Sequence, residues 1–196
     1  MKNIKHIKLK NLVTIISGYP FRTKIETDPS GNTFIIQMED INKDHTLNTS
    51  SLSKTNLKEV RIKYLLREGD ILFTPKGYNN YATLIDKPLT NTVPIAHFYI
   101  IKIKNSDTVT PSYLAWYINQ KEAQLYFKSY GAGTNIPFVN KKLLEELIIK
   151  LPPLILQNKI VKIYNLTLKE QKLLNKIQEK RKLLIDTILL EKIQNS

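Results

Sequence analysis

Hydrophobic spacing changes character near residue 154 of this chain, from short mixed runs broken by polar turns to one sustained helical period. "NLVTIISG", from Asn11, has apolar residues at helix-like spacing and stops at Gly18, a candidate C-cap before the turn-prone "YPF". Past the polar loop "TDPSGN", "TFIIQMEDI" is rich in strand formers and predicts a buried strand. "LREGDILFTPKG" predicts a Gly-Asp turn into a short strand, Ile71 to Thr74, closed by Pro75 and Gly77. "YATLID" and "HFYIIKIK" predict two more strands, the second half-exposed because apolar and basic residues alternate in it. "TPSYLAWYINQKEAQLYF" predicts one helix, with Thr110 and Pro111 as N-cap and first helical residue and Leu114, Tyr117, Ile118 and Leu125 as its apolar stripe. Trp116 is assigned to the core. After the loop "GAGTNIPF", "NKKLLEELIIKLPP" predicts a short helix running into a strand. The expected fold class is α+β: one mixed globular domain, residues 1–154, followed by a long helix, residues 155–196.

From Leu156 to Gln194 there is neither Pro nor Gly. At about 1.5 Å per residue such a helix is roughly 58 Å long. In the 4-3 series Leu156, Ile160, Ile163, Thr167, Glu170, Leu174, Ile177, Arg181, Leu184, Ile188, Glu191, seven of the eleven positions are apolar. Thr167, Glu170 and Arg181 interrupt that seam and weaken a long parallel coiled coil, although such polar positions also fix register or partner. A lone helix would leave the stripe wet, so a second helix is expected against Leu156, Ile160, Ile163, Leu174, Ile177, Leu184 and Ile188.

Charge adds the next constraint. The chain carries 30 Lys and Arg against 17 Asp and Glu, a net +13, which makes polyanions natural partners: nucleic acid first, an anionic membrane second. Residues 1–155 contribute 21 basic and 13 acidic side chains and residues 156–196 contribute 9 and 4, so both parts share the excess. With no Cys, disulfides, thiolate zinc sites and Cys nucleophiles are excluded. His6, His45 and His97 stand apart, none at metal-ligand spacing with a carboxylate. "MKNIKHIKLKNL" breaks every apolar pair with Lys, and no stretch approaches the ~20 apolar residues that span a bilayer, so a soluble cytoplasmic protein is expected.

Catalytic signatures are missing. There is no Gly-rich S-adenosylmethionine loop after a strand, and the double Pro of "LPPL" is apolar on both sides, unable to grip a base edge as an "NPPY"-type tetrapeptide does. The carboxylates near "EQK" at Glu170 have no acidic partner for Mg2+, and "GAGTN" is no phosphate-binding loop. A small stand-alone nuclease or methyltransferase is therefore a weak alternative, as is a basic coiled-coil adaptor, whose helix lacks the Trp and Phe of an interfacial anchor. Residue types in three loops suit duplex readout instead: Arg22 and Lys24 after a Gly-Tyr-Pro turn; Lys76, Tyr78, Asn79, Asn80 and Tyr81 in "PKGYNNYA"; Lys128, Tyr130, Thr134 and Asn135 in "KSYGAGTN". Lys and Arg neutralise phosphates, Asn reads adenine edges and Tyr stacks or packs on sugars. Each loop is also an ordinary solvated turn by composition, since turns favour Asn and Gly.

Taken in order, "ISGYPF", "IIQMEDI", "LREGDILFTPKG", "VTPSYLAWYIN" and "YGAGTNIPFVNKKLLEELIIKLPPLILQNKIV" with its closing helix resemble the target-recognition domains of specificity subunits of type I restriction-modification systems. That resemblance covers nearly the whole chain. It implies a DNA-reading domain and a spacer helix that also carries methyltransferase subunits, with no chemistry in this chain. S-adenosylmethionine, ATP and Mg2+ would then belong to partner subunits: a DNA methyltransferase and, optionally, an ATP-dependent translocating nuclease. Full-length family members hold two recognition domains and two antiparallel spacer helices, whereas this chain has one of each. The implied partner of the helix is a second copy in a homodimer, reading a palindromic bipartite site, or an unlike half-length chain.

Overall fold

Four β-branched residues in succession, Val13, Thr14, Ile15 and Ile16, override the helical spacing of the stretch they occupy. The computed structural model describes residues 4–194 except 22, 24, 78, 79 and 131–136. In it, strand β1 (Lys5–Lys8) leads into a single helical turn, α1 (Leu9–Leu12), and the expected helix ends there: Val13–Ser17 is strand β2. Gly18 is accordingly no helix cap. A Cβ at that position would sit 2.1 Å from the Ile95 carbonyl oxygen, so only Gly allows this close backbone approach.

The chain continues through β3 (Thr33–Ile36), β4 (Ser53–Thr55), β5 (Ile71–Phe73), β6 (Ala82–Leu84), β7 (Thr92–Pro94) and β8 (Tyr99–Ile103). Helices α2 (Pro111–Ile118), α3 (Lys121–Tyr130) and α4 (Lys141–Glu146), strand β9 (Ile148–Leu151) and helix α5 (Leu154–Gln194) complete it. β1 pairs antiparallel with β9. The largest sheet has the order β2-β8-β5-β6, all antiparallel, and a third has the order β4-β3-β7, with β3 and β7 parallel.

The sheet register explains the core. Ile16, Ile100 and Leu72 form one row across the four-stranded sheet, and Ile100 and Leu72 cluster with Ile36 of β3 and with Leu66, Ile85 and Phe98. The opposite face carries Ile15, Ile101 and Ile71 in one row and Tyr99 and Phe73 in the next, where the Phe73 ring meets Phe127 of α3 at 5.3 Å. The sheet is thus covered on both sides. β8 lies inside it, so Tyr99, Ile100 and Ile101 are all buried, a correction to the half-exposed strand expected from its alternation. Its Lys102 turns the basic character to structural use, donating to Leu65 O (3.1 Å) and pairing with the buried Asp70 carboxylate. Asp70 also accepts from Arg67 N at 2.9 Å, and Gly69 takes φ +89°, which is how "REGD" makes the expected turn.

The predicted helix over residues 110–127 is two helices. Thr110 caps α2, its hydroxyl accepting from Tyr113 N, and Pro111 opens it, as expected. At Asn119 the chain breaks because that side chain donates to Ala82 O and accepts from Ala82 N, both at 2.8 Å, pairing with β6 as a further strand residue would. Leu125 consequently lies outside the apolar stripe, 55% exposed, and Trp116 is half-buried instead of core. The short helix and strand expected from "NKKLLEELIIKL" are α4 and β9, with Asn140 capping α4 by accepting from Leu143 N.

Backbone contacts divide the chain into two units, Met1–Gln157 and Asn158–Ser196. Within the first, Gln157 is wholly buried in the opening turn of α5. Its Oε1 accepts from Thr110 N (2.9 Å) and its Nε2 donates to Thr108 O (3.0 Å) and Pro152 O (2.9 Å). α5 runs unbroken through the second unit, and its 41 residues correspond to about 62 Å of helix.

Candidate nucleic-acid interface

Antiparallel pairing sets Ser17, Tyr99, Phe73 and Ala82 in one row at one end of the four-stranded sheet. The chain leaves β2 and β5 and enters β6 and β8 at that end. The loop after Gly18 and the loop between β5 and β6 therefore emerge on the same side, with β2 and β5 two strand spacings, roughly 10 Å, apart. The first is held by Tyr19 N donating to Pro94 O (2.7 Å), and its Tyr19 ring packs edge-on against Phe21 (4.8 Å) and Tyr64 (5.3 Å). Arg22 and Lys24, the expected phosphate contacts of this loop, lie outside the described residues, as do Tyr78, Asn79, Thr134 and Asn135.

The second sequence-predicted loop is fastened to Pro137–Val139, the stretch before α4. Val139 N donates to Pro75 O (2.8 Å) and Gly77 N donates to Pro137 O (3.0 Å), an antiparallel bridge with Lys76 opposite Phe138. Gln124 of α3 adds a third tie, its Nε2 donating to Asn80 O at 2.6 Å. These ties hold the loop that carries Lys76 against Pro137–Val139 and against α3, the helix that carries Lys128 and Tyr130. Lys76 and Lys128 are exposed and, among the described residues, neither is ion-paired, whereas Lys8 and Lys10 share Glu146, and Lys150 holds Glu122. Tyr130 is 66% exposed and meets Tyr126 edge-on at 5.2 Å. Tyr126 is the fixed member of that pair, its hydroxyl donating to Leu143 O (3.0 Å), and burial raises its pKa.

Asn80 is not a surface group. It is buried, and its Nδ2 donates to Thr74 O (3.1 Å), so the side chain shapes the loop and offers no free amide to a base. Tyr81 is half-buried and stacks on His45 at 4.5 Å, nearly coplanar. His45 comes from the tight turn Asn42–Thr46, where it adopts φ +63°, and burial lowers its pKa against the opposing pull of Asp44. The sequence marks His45 only as an isolated histidine without metal-ligand spacing, and gives no sign of the roles of Gln124 and Phe138. The only local signal for Phe138 is the preceding proline, which fixes the approach of the chain but not the direction of the ring.

On α5, Leu156 and Ile160 are half-buried, while Ile163, Leu174, Ile177, Leu184 and Ile188 are 45–66% exposed. The 4-3 seam understates the apolar surface. Leu166 and Leu173 widen it near Ile163 and Leu174, and between Leu183 and Ile193 only Asp186, Thr187, Glu191 and Lys192 are polar. Among the described residues, no helix is long and apolar enough to cross a membrane, and no group of His, Asp and Glu is placed to hold a metal ion.

A family model, that of the type I restriction modification DNA specificity domain, matches residues 1–182. The fold is similar to that of three solved chains. The S subunit of a type I restriction-modification system from M. genitalium aligns with TM-score 0.55 and 14% identity, over 84% of this chain and 39% of that one. The HsdS subunit from Thermoanaerobacter tengcongensis aligns with TM-score 0.58 and 16% identity, over 85% and 38%. A chain from a structure described as showing complex assembly and conformational transition of the type I R-M system aligns with TM-score 0.66 and 16% identity, over 90% and 41%. This chain thus spans well under half the length of each. No curated protein matches it.

Proposed function

We propose, from the premise that the chain belongs to the type I restriction modification DNA specificity domain family, that its α+β unit reads double-stranded DNA with the loop-bearing end of the β2-β8-β5-β6 sheet. The observation that carries this reading is the fastening of the β5–β6 loop to Pro137–Val139 and to Gln124 of α3, which fixes exposed Lys76, not ion-paired among the described residues, at that end of a chain of net charge +13, with exposed Lys128 and Tyr130 on the same α3. Lys76 and Lys128 neutralise phosphates and Tyr130 packs on sugar or base, with Arg22, Lys24, Tyr78, Asn79, Thr134 and Asn135 as further contacts on the same loops. Tyr81 and Asn80 support the loop from within. The chain performs no chemistry; it delivers a DNA methyltransferase subunit, which binds S-adenosylmethionine, to the site, and in systems that cut DNA it also engages a translocating nuclease subunit that uses ATP and Mg2+.

Fluorescence anisotropy with labelled duplex tests the reading. Lys76→Ala weakens binding to all sequences and lowers the salt slope by about 1, the loss of one phosphate contact. Unchanged affinity and slope for both Lys76→Ala and Lys128→Ala would remove these loops from the interface.

The exposed stripe of α5 is the surface for a second helix, in an antiparallel coiled coil with another copy, and a two-fold pair of this kind suits a palindromic bipartite site. Light scattering at tens of micromolar should give twice the 22.7 kDa chain mass, and Leu174→Asp with Ile177→Asp should return the monomer. A wild-type monomer that pairs only with an unlike half-length chain would place the same stripe in a heterodimer instead.

A further inference from the structure

Phe138 stands apart from the other phenylalanines. It is 55% exposed, whereas the remaining five of the six are buried or half-buried. It is also held firmly. The hydrogen bonds on either side of it, from Val139 N to Pro75 O and from Gly77 N to Pro137 O, flank the Lys76–Phe138 pair and do not join it directly. Such a non-hydrogen-bonded antiparallel pair has Cα atoms about 4.5 Å apart and side chains on one face in close approach. Val139, the next residue, is buried, and Asn140 after that caps α4. An aromatic ring therefore projects to solvent from a backbone fixed on both sides, next to the stem of a Lys that is not ion-paired among the described residues.

We propose that Phe138 is a wedge that enters a base step of the bound duplex while Lys76 grips the adjacent phosphate. This deepens the DNA-reading assignment and rests on it. A rigid apolar side chain inserted between base pairs unstacks them and bends the duplex, and cations beside it hold the displaced backbone. The neighbouring charge decides between occupants: Lys76, not ion-paired among the described residues, is satisfied by a polyanion, and an apolar protein patch would leave it without a counter-charge. The wedge reads deformability, favouring flexible pyrimidine–purine steps without a hydrogen bond to any base.

The test uses the full chain and duplexes enriched from a randomised pool by the wild-type protein, with 2-aminopurine placed at each position in turn. One step should brighten on binding. Phe138→Ala should abolish that signal and weaken affinity about tenfold or more, as expected for losing a buried aromatic ring, with an unchanged salt slope. Phe138→Trp should keep both. Because the ring is exposed in the free chain, the thermal midpoint of Phe138→Ala should match wild type, which separates a lost contact from a lost fold. Affinity within twofold of wild type for Phe138→Ala, or wild-type binding with no brightened position, overturns the wedge while leaving DNA reading intact. A wild-type chain that enriches no duplex overturns both. If Phe138→Ala binds DNA normally but no longer holds the methyltransferase subunit, the ring is a protein contact and the wedge is again refuted.

Discussion

Replacing Gln157 by Leu keeps nearly the same volume at a fully buried position and removes three hydrogen bonds to backbone: one accepted from Thr110 N and two donated to Thr108 O and Pro152 O. Each such bond contributes about 1 kcal/mol net, so the loss comes to about 3 kcal/mol. Thr108 is exposed enough for water to take over its carbonyl, which sets the lower end of the range near 2 kcal/mol. For a unit of this size that shifts the midpoint of thermal unfolding down by roughly 4–12 °C. The single Trp, Trp116 in α2, reports the transition by fluorescence, because the helix it occupies is capped by the residue that Gln157 holds.

Gln157→Glu provides an internal check with a sign. The carboxylate still accepts from Thr110 N but has no hydrogen to give to Thr108 O or Pro152 O, and burial raises its pKa above the ordinary carboxylate value. The protonated form is the better fit. Relative to wild type at the same pH, this variant should be least stable near neutrality and should recover part of the deficit as pH falls through the raised value. A Gln157→Leu protein within about 0.5 kcal/mol of wild type by urea unfolding, or a Gln157→Glu deficit that is flat with pH, would refute the account of the helix root.

Three further outcomes are expected. Glu146 accepts from both Lys10 and Lys8 at 2.6 Å, which lowers its pKa from 4.5 to about 2; its stabilising effect is complete above 4.5 and is lost as pH falls toward about 2, so the advantage of wild type over Glu146→Gln in urea midpoint should fade across that window and shrink with added salt. Gly18→Ala forces a Cβ to 2.1 Å from the Ile95 carbonyl oxygen; a thermal midpoint lowered by less than a few degrees would show that the β7–β8 turn yields more readily than its pairing with Tyr19 implies. Asn119→Ala removes both bonds to Ala82 and should destabilise the α2–α3 corner by about 2 kcal/mol, read by hydrogen exchange at β6 amides; unchanged protection there would assign the corner to packing alone.

What could be read from sequence follows the range of the forces involved. The turn at "REGD", the Thr110–Pro111 helix start and the long α5 are set by local chemistry: a Gly at positive φ, a capping hydroxyl, a run without helix breakers. The errors occur where a distant partner decides. β2 became a strand because β8 is there to receive it, and β8 is buried because β2 and β5 flank it. Three- and four-residue strands such as β1, β4 and β7 carry too few positions to show a period, and each is paid for by pairing with a partner far along the chain. The site shows the same division. Residue type marked Lys76 and Tyr130 as surface candidates, but it could not reveal that Asn80 turns its amide inward to Thr74, or that a bridge would stand Phe138 beside Lys76.

The pairing of β1 with β9 has an evolutionary consequence. Lys5 lies opposite Leu151, three residues before α5 begins at Leu154, so the polypeptide enters and leaves the globular unit almost side by side. A body with adjoining entrance and exit can be duplicated, swapped or grafted behind another helix without reopening its interior.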